Sequence, residues 1–88
     1  MDKSRHAAEH ERLCALLRTI RLERNLRQTD VAGALREHQS FVSKYESGER
    51  RLDLVELREV CSALGVPVLE AVTRFDEGVS ITASPGCE

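Results

Sequence analysis

Aromatic residues are scarce in this chain, which has no tryptophan, one tyrosine and two phenylalanines among its 88 residues. The core must therefore be built from leucine, valine, isoleucine and alanine, and the length allows one small domain. Long hydrophobic runs are absent as well, although 41% of the residues are hydrophobic. No run approaches the roughly 18 apolar residues of a membrane span, and the charged N-terminal segment lacks the apolar stretch of a signal peptide. We therefore expect a cytoplasmic protein with no membrane contact.

Cysteine is too sparse and too irregularly spaced to organise the fold. Cys14, Cys61 and Cys87 are odd in number and form no C-x-x-C pair, which argues against a disulfide framework or a zinc site. We predict that Cys14 and Cys61 are buried reduced thiols on apolar helix faces, and that Cys87 is exposed in a C-terminal tail. No metal and no cofactor are expected.

One short motif of metal chemistry is present, but the rest of the chain does not support it. His6, Glu9 and His10 match the H-x-x-E-H pattern of inverted zinc peptidases. Such an enzyme also needs an acidic ligand from another helix and a substrate cleft, and this chain offers no scaffold for them. We interpret the histidines as solvated residues near the N-terminus and predict that the protein is not an enzyme.

Charge is distributed unevenly along the chain, whose formal net charge is −2. Residues 18–51 carry eight basic and five acidic side chains, whereas residues 52–88 carry two basic and seven acidic ones. A middle segment of +3 is sufficient for phosphate contact but predicts modest non-specific affinity for nucleic acid. The last segment, at −5, would suit a basic protein partner.

Apolar residues three or four positions apart predict a long first helix from about Arg5 to Arg24. Arg18, Arg21 and Arg24 are assigned to another face of this helix, where they are either solvated or beside a nucleic-acid backbone. The apolar stripe that faces the core consists of Leu13, Leu16, Leu17 and Ile20.

Two further helices are predicted after the middle of the chain. One begins with a capping box formed by Asp53 and Glu56 and stops at Gly65. Pro67 opens the other at a first helical position. The stripe expected to be buried in the first of these helices is Leu54, Leu57, Cys61 and Leu64. The residues available for packing in the second are Val68, Leu69, Val72 and Phe75.

Residues 28–46 predict two short helices joined by a tight turn, and this stretch organises the rest of the chain. Apolar residues at helical spacing mark both halves, and the polar residues 36–38 separate them. Ala32 falls where the helices would cross, and its small side chain allows two backbones to approach closely. The arrangement is a helix-turn-helix.

The free face of the second short helix suits DNA. Glutamine and lysine side chains can read base edges in the major groove, and short hydroxyls can reach bases or phosphates. The residues of this face, which we predict to read bases, are Gln39, Ser40, Ser43 and Lys44.

This stretch resembles the helix-turn-helix of the phage lambda repressor and Cro-like (XRE-type) family of bacterial regulators. The resemblance extends without gaps from about Leu13 to Leu69. It implies an all-α, five-helix DNA-binding domain, which we place at residues 5–76. From the sequence itself we expect a disordered segment 1–4 before the domain and a non-helical tail 77–88 after it. The residues that carry it are Gln28, Ala32, Gln39, Ser40, Val42, Glu46, Gly48 and the Ala-Leu-Gly of 63–65.

By this match Gln28 is expected to contact the DNA backbone, assisted by the helix N-terminus on which it lies. Arg50 and Arg51, directly after the second helix, are predicted to clamp phosphates; the alternative is a solvated loop. Thr29 and Ser47 complete the predicted backbone contacts. Phe41 remains open between packing inside the domain and an apolar contact to DNA.

Two positions depart from the family pattern. Arg27 stands where a Ser or Thr cap is frequent and cannot accept a hydrogen bond, which costs roughly 0.5–2 kcal/mol. Arg36 stands where the family usually has a left-handed glycine. If Arg36 adopts that conformation, it carries a penalty of roughly 1–2 kcal/mol; if not, the turn is built differently.

The tail contains a short alternating stretch, Gly78 to Thr82, that has the pattern of a strand. A lone strand in a helical protein is either disordered or paired with its copy in a second subunit.

The function we predict is a sequence-specific transcriptional regulator, a repressor that binds double-stranded DNA as a homodimer on a near-palindromic operator. The alternative is an antitoxin-like or adaptor module whose main partner is another protein.

Overall fold

The computed structural model describes the backbone of residues 3–83 and the side chains of residues 7–78. Within this part the chain forms five α-helices and no strand, so the predicted all-α, five-helix architecture is confirmed. None of the described helices is long and apolar enough to cross a membrane. The helices are α1 (Lys3–Glu23), α2 (Gln28–Leu35), α3 (Gln39–Ser47), α4 (Leu54–Leu64) and α5 (Val68–Ala83).

The ends of the domain differ from the prediction. α1 already includes Lys3 and Ser4, which were expected to belong to a disordered segment; Met1 and Asp2 lie outside the described residues. The strand predicted within 78–82 is wrong, because α5 continues through it to Ala83. No other strand in residues 3–83 offers a partner, and the helix instead pairs its backbone groups locally. The tail therefore does not start at 77; residues 84–88, with Cys87, lie outside the described part.

The core lies where α3 packs against α1 and α2 and where α4 packs against α2 and α5, and α1 also packs against α5. Cys14 and Cys61 are buried as predicted, and burial raises the pKa of both thiols above the ordinary cysteine value. Leu17 and Ile20 of the predicted α1 stripe are fully enclosed. The main buried cluster is Leu17, Ile20, Val31, Ala32, Val42, Tyr45, Val60, Cys61, Leu64, Val66 and Ala71.

α4 begins at the capping box that the sequence predicted. Asp53 Oδ1 accepts the backbone N–H of Glu56 at 2.7 Å, and Glu56 Oε1 accepts the backbone N–H of Asp53 at 3.0 Å. Leu54, expected in the buried stripe, is 72% exposed instead. It occupies the first turn of the helix and so lies outside the contact of α4 with α2 and α5. Val60 takes its place in the core.

Helices α1 to α4 end in the same way. Each is followed by one residue in the left-handed conformation, and the backbone N–H of the next residue bonds to a carbonyl in the last turn of the helix. In α2 that residue is Arg36, at φ 60° and ψ 40°, so the conformation that the family gives to glycine is retained. The N–H of Arg36 bonds to the carbonyl of Gly33 at 3.1 Å, and the N–H of Glu37 bonds to that of Ala32 at 2.9 Å. Asn25, Gly48 and Gly65 hold the equivalent positions in the other helices.

Replacement of Arg36 by glycine should raise the free energy of unfolding by about 1 kcal/mol. The left-handed conformation costs a non-glycine residue roughly 1–2 kcal/mol, and the greater entropy of glycine in the unfolded chain offsets part of the gain. Urea denaturation measures the change. Asn25→Gly is the matched control, with a smaller expected gain because asparagine tolerates this conformation. A lowered midpoint for Arg36→Gly would show that the arginine side chain contributes more than the strain removes.

Candidate nucleic-acid interface

The helix-turn-helix unit consists of α2, the turn 36–38 and α3. Ala32 of α2 is buried at the crossing, as the sequence predicted, and Val31, Val42 and Tyr45 are enclosed around it. α3 packs against both α1 and α2 through this buried face. The opposite face of α3 is therefore left to the solvent.

The predicted base-reading residues all lie on that free side of α3. Gln39 and Lys44 are exposed, while Ser40 and Ser43 are half-buried. Because side chains four positions apart share a helix face, the pairs 39/43 and 40/44 form one continuous surface. The structure thus brings the four residues together in an arrangement that can face a groove of DNA.

His38 is the N-cap of α3, and the sequence analysis did not assign this role to it. Its Nδ1 accepts the backbone N–H of Ser40 at 3.1 Å and also lies 3.1 Å from Ser40 Oγ. Histidine is not among the preferred capping residues, so residue type gave no signal. The contact fixes the first turn of the helix that carries the predicted base-reading residues.

A buried ion pair joins α1 to α3. Arg21 Nε lies 2.7 Å from Glu46 Oε2, and Arg21 Nη2 donates to Glu46 Oε1 at 3.1 Å. Arg21 Nη1 also donates to the carbonyl of Leu26 at 2.8 Å. The two side chains are only 8% and 3% exposed, and the bond to Glu46 raises the pKa of Arg21. Arg21 is therefore neither solvated nor available to DNA.

Glu46 extends this ion pair to the surface. Its Oε1 also accepts a hydrogen bond from Gln28 Nε2 at 3.0 Å, and Gln28 Oε1 accepts one from Gln39 Nε2. A chain of polar contacts thus runs from the core between α1 and α3, through the start of α2, to the first residue of α3. The positions of Gln28 and Gln39 are set by this chain.

One sequence signal for the ion pair was available. The assignment of Arg21 to another face of α1 was wrong: it follows Leu17 by four positions and therefore borders the apolar stripe, and it is buried. A cation on a buried stripe requires a counter-charge. The sequence does not show which carboxylate supplies it, because Glu46 is 25 residues away.

The loop after α3 separates the two arginines that were predicted to clamp phosphates. Arg51 is exposed. Arg50 is half-buried, with Nη2 at 2.7 Å from Glu56 Oε2 and Nη1 donating to the carbonyl of Arg51 at 2.9 Å. Its guanidinium also stacks over the ring of Phe41, with Cζ 4.7 Å from the ring centroid.

Phe41 packs inside the domain. Its ring meets that of Tyr45 edge-on, with centroids 5.6 Å apart, and it lies against the buried core. Of the two alternatives left open by the sequence, the packing interpretation is therefore the one that matches the structure.

The remaining predicted backbone residues lie at the ends of α2 and α3. Gln28 is half-buried and Thr29 is exposed in the first turn of α2. Arg27 makes no side-chain cap there, as predicted; Asp30 Oδ2 instead accepts the backbone N–H of Arg27 at 2.8 Å. Ser47 ends α3 and donates through Oγ to the carbonyl of Lys44 at 3.1 Å.

The H-x-x-E-H segment shows no metal-binding arrangement in the part of the chain whose side chains are described. His10 Nε2 lies 3.6 Å from Cys14 Sγ on the next turn of α1, whereas the side chain of His6 is outside that part. No group of three or more His, Cys, Asp or Glu side chains comes together among residues 7–78.

The fold and this surface together define a helix-turn-helix DNA-binding domain. A family model described as "Helix-turn-helix" matches residues 17–70. The chain belongs to the XRE-type helix-turn-helix family of DNA-binding transcriptional regulators, which is a family of non-enzymatic proteins.

Solved structures support the same assignment. An XRE-family like protein from Pseudomonas syringae pv. tomato str. DC3000 is 33% identical, with a TM-score of 0.80 over 86% of this chain and 93% of that one. Two crystal structures of the clp gene regulator ClgR from Corynebacterium glutamicum are each 27% identical, with TM-scores of 0.72 and 0.74. They cover 80% and 85% of this chain, and 91% and 80% of their own chains. Among curated proteins, none matches this sequence significantly.

Loss of one partner of the Arg21–Glu46 pair should destabilise the domain strongly. Arg21→Met leaves a buried carboxylate without its counter-charge, which costs about 3–5 kcal/mol. The double variant Arg21→Met/Glu46→Leu should recover most of that loss in urea denaturation, since a well-packed apolar pair can replace a buried ion pair. The double variant should still bind DNA less tightly than the wild type, because Gln28 loses its hydrogen bond to Glu46. Wild-type affinity in the double variant would show that Glu46 does not position Gln28.

Proposed function

We propose that this regulator binds a specific, near-palindromic DNA site as a homodimer, and that it represses transcription by occupying that site. The observation that supports the proposal is the free face of α3, where Gln39 and Lys44 are exposed and Gln39 is held by Gln28. A helix supported along its buried side by two others is suited to enter the major groove as a rigid element.

The chemistry of the face favours base reading. Glutamine can bond adenine through two groups, and lysine can donate to guanine. The side chains of Ser40 and Ser43 are short enough to enter the groove without filling it. Because Gln28 Oε1 already occupies one donor of the Gln39 amide, the other donor and the carbonyl oxygen remain for a base.

Phosphate contacts are proposed for the residues at the edges of this face. Gln28 and Thr29 lie in the first turn of α2, whose free backbone N–H groups favour an anion. Ser47 ends α3, and Arg51 carries an exposed cation in the following loop. These contacts would set the register of α3 without reading sequence.

Occlusion is the mechanism that such a binding mode would support. A dimer that places two α3 helices in successive major grooves would compete with polymerase or an activator for the same DNA. The similarity to ClgR, which is described as a clp gene regulator, supports a role in gene control. Such a protein would act in the cytoplasm, together with the DNA.

The alternative is a protein-interaction module with secondary DNA binding, and the acidic segment 52–88 favours it. A mobility shift on genomic fragments with a salt titration distinguishes the two. A DNA reader retains selected fragments and shows a steep dependence on salt.

Gln39→Ala and Lys44→Ala should each weaken binding to the selected site by about 1–3 kcal/mol while changing binding to random DNA less. Both affinities are measured for each variant at one salt concentration. Arg58→Ala serves as a control for the loss of an exposed cation, since Arg58 lies on α4. Unchanged ratios of specific to random binding in both α3 variants would show that this face does not read DNA.

The proposed dimer contact lies on α5. Of the four apolar residues that the sequence offered there, Val68 packs against the core and Phe75 lies beneath the guanidinium of Arg12. Leu69 and Val72 remain, 73% and 42% exposed, at i, i+3 spacing on one face. The contact is therefore assigned to these two residues, without the strand that was expected to accompany them.

Leu69→Glu and Val72→Glu should each convert the dimer into a folded monomer that binds a single half-site weakly, because an unpaired charge enters the apolar contact. Sedimentation measures the oligomeric state, and the selected DNA should contain half-sites about 10 base pairs apart or a multiple of that. Leu54→Glu is the matched control for Leu69→Glu, since Leu54 is 72% exposed but lies on α4. A wild-type monomer at concentrations that bind DNA, or dissociation by Leu54→Glu alone, would contradict the assignment.

A further inference from the structure

The guanidinium of Arg50 is bound by other groups of the protein, unlike a side chain left free to bind phosphate. Its guanidinium meets three groups from three parts of the chain: the Glu56 carboxylate at the start of α4, the Arg51 carbonyl in the loop, and the face of the Phe41 ring on α3. These contacts occupy both terminal nitrogens and one face of the planar group.

The carboxylate that holds Arg50 is itself fixed. Glu56 belongs to the capping box of α4 and accepts the Asp53 N–H while it pairs with Arg50. The hydrogen bonds from the Asp53 N–H and the Arg50 guanidinium lower the pKa of Glu56. Arg50 is thus anchored to a rigid helix start rather than to a mobile side chain.

The ring beneath Arg50 is equally well supported. Phe41 rests edge-on against Tyr45, which is buried in the core. The backbone of the same segment is tied to α3, since the N–H groups of Glu49 and Arg50 both bond to the Lys44 carbonyl, at 2.9 and 3.2 Å. The segment between α3 and α4 is therefore fixed from both sides.

Resting on the DNA-binding function proposed above, we propose that Arg50 is a positioning residue and not a phosphate ligand. It holds the loop of residues 48–53 in the form that directs Arg51 toward the DNA backbone. The two neighbouring arginines thus have different roles: Arg50 is bound within the protein, and Arg51 contacts the DNA phosphates.

Conservative variants separate the two roles. Arg50→Lys keeps the charge but loses the planar fork and the stacking on Phe41, whereas Arg51→Lys makes the same change at a residue that acts through its charge. Glu56→Gln releases Arg50, while the glutamine oxygen can still accept the Asp53 N–H. Arg51→Ala removes one phosphate contact. Urea denaturation of each variant confirms that it is folded.

We expect Arg50→Lys and Glu56→Gln each to weaken specific DNA binding by roughly three- to tenfold, the loss of one stacked or charge-assisted contact, with an unchanged slope of affinity against salt. Arg51→Lys should bind nearly as wild type, and Arg51→Ala should lower the slope by about 1. Tighter binding or a steeper slope in Glu56→Gln, or wild-type affinity in Arg50→Lys, would make Arg50 a phosphate ligand and overturn the proposal.

Hydrogen exchange in the free protein tests the same inference without DNA. The Glu49 and Arg50 amides should exchange several-fold faster in Arg50→Lys and Glu56→Gln than in Arg51→Lys, because the loop is no longer held. Equal protection of these two amides in all three variants would overturn the positioning role, whatever the result of the DNA-binding measurements. If the wild type binds no DNA selectively while these amides respond as expected, it is the proposed function that fails and not the loop-holding role of Arg50.

Discussion

The buried pair of Arg21 and Glu46 is the interaction on which the rest of the structure depends. Apolar contacts among α1, α2 and α3 favour association, but they tolerate small rotations and shifts of one helix against another. Two parallel hydrogen bonds from a planar guanidinium fix both distance and orientation. Because neither charge can reach water, any arrangement that separates them is strongly disfavoured. The angle of α3 on α1 is therefore set by electrostatics as well as by packing.

The same pair connects the buried contact between α1 and α3 to the surface proposed to bind DNA. After Arg21 is bound, Glu46 Oε1 still accepts the Gln28 amide, and Gln28 in turn holds Gln39. A second arginine, Arg50, fixes the other end of α3 through Glu56 and Phe41. Both cations are paired with carboxylates within the protein, whereas Lys44 and Arg51 remain exposed on and after α3. A modest non-specific affinity is consistent with this distribution.

Most of the helical architecture could be predicted from the sequence, because periodicity and capping are local properties. The capping box of Asp53 and Glu56, the burial of Ala32 and the ends at Gly48 and Gly65 all follow from neighbouring residues. Contacts between distant residues could not be predicted in the same way. The partner of Arg21 lies 25 positions away, and the exposure of Leu54 depends on where α4 meets its neighbours. The strand predicted near Val79 was wrong because five alternating residues cannot outweigh the lack of a pairing strand.

The turn at Arg36 shows how packing and polar contacts on both sides can hold a residue in an unfavourable backbone conformation. A non-glycine residue in the left-handed region costs roughly 1–2 kcal/mol, a noticeable share of the 5–15 kcal/mol that stabilises a typical small domain. The turn nevertheless keeps the family geometry, with both closing hydrogen bonds of α2 formed. The helices on either side are fixed by the core around Ala32 and by the contacts of Gln28 with Glu46 and Gln39, so the turn has no freedom to relax. The strain is carried by one exposed residue, and the relative position of α2 and α3 is left unchanged.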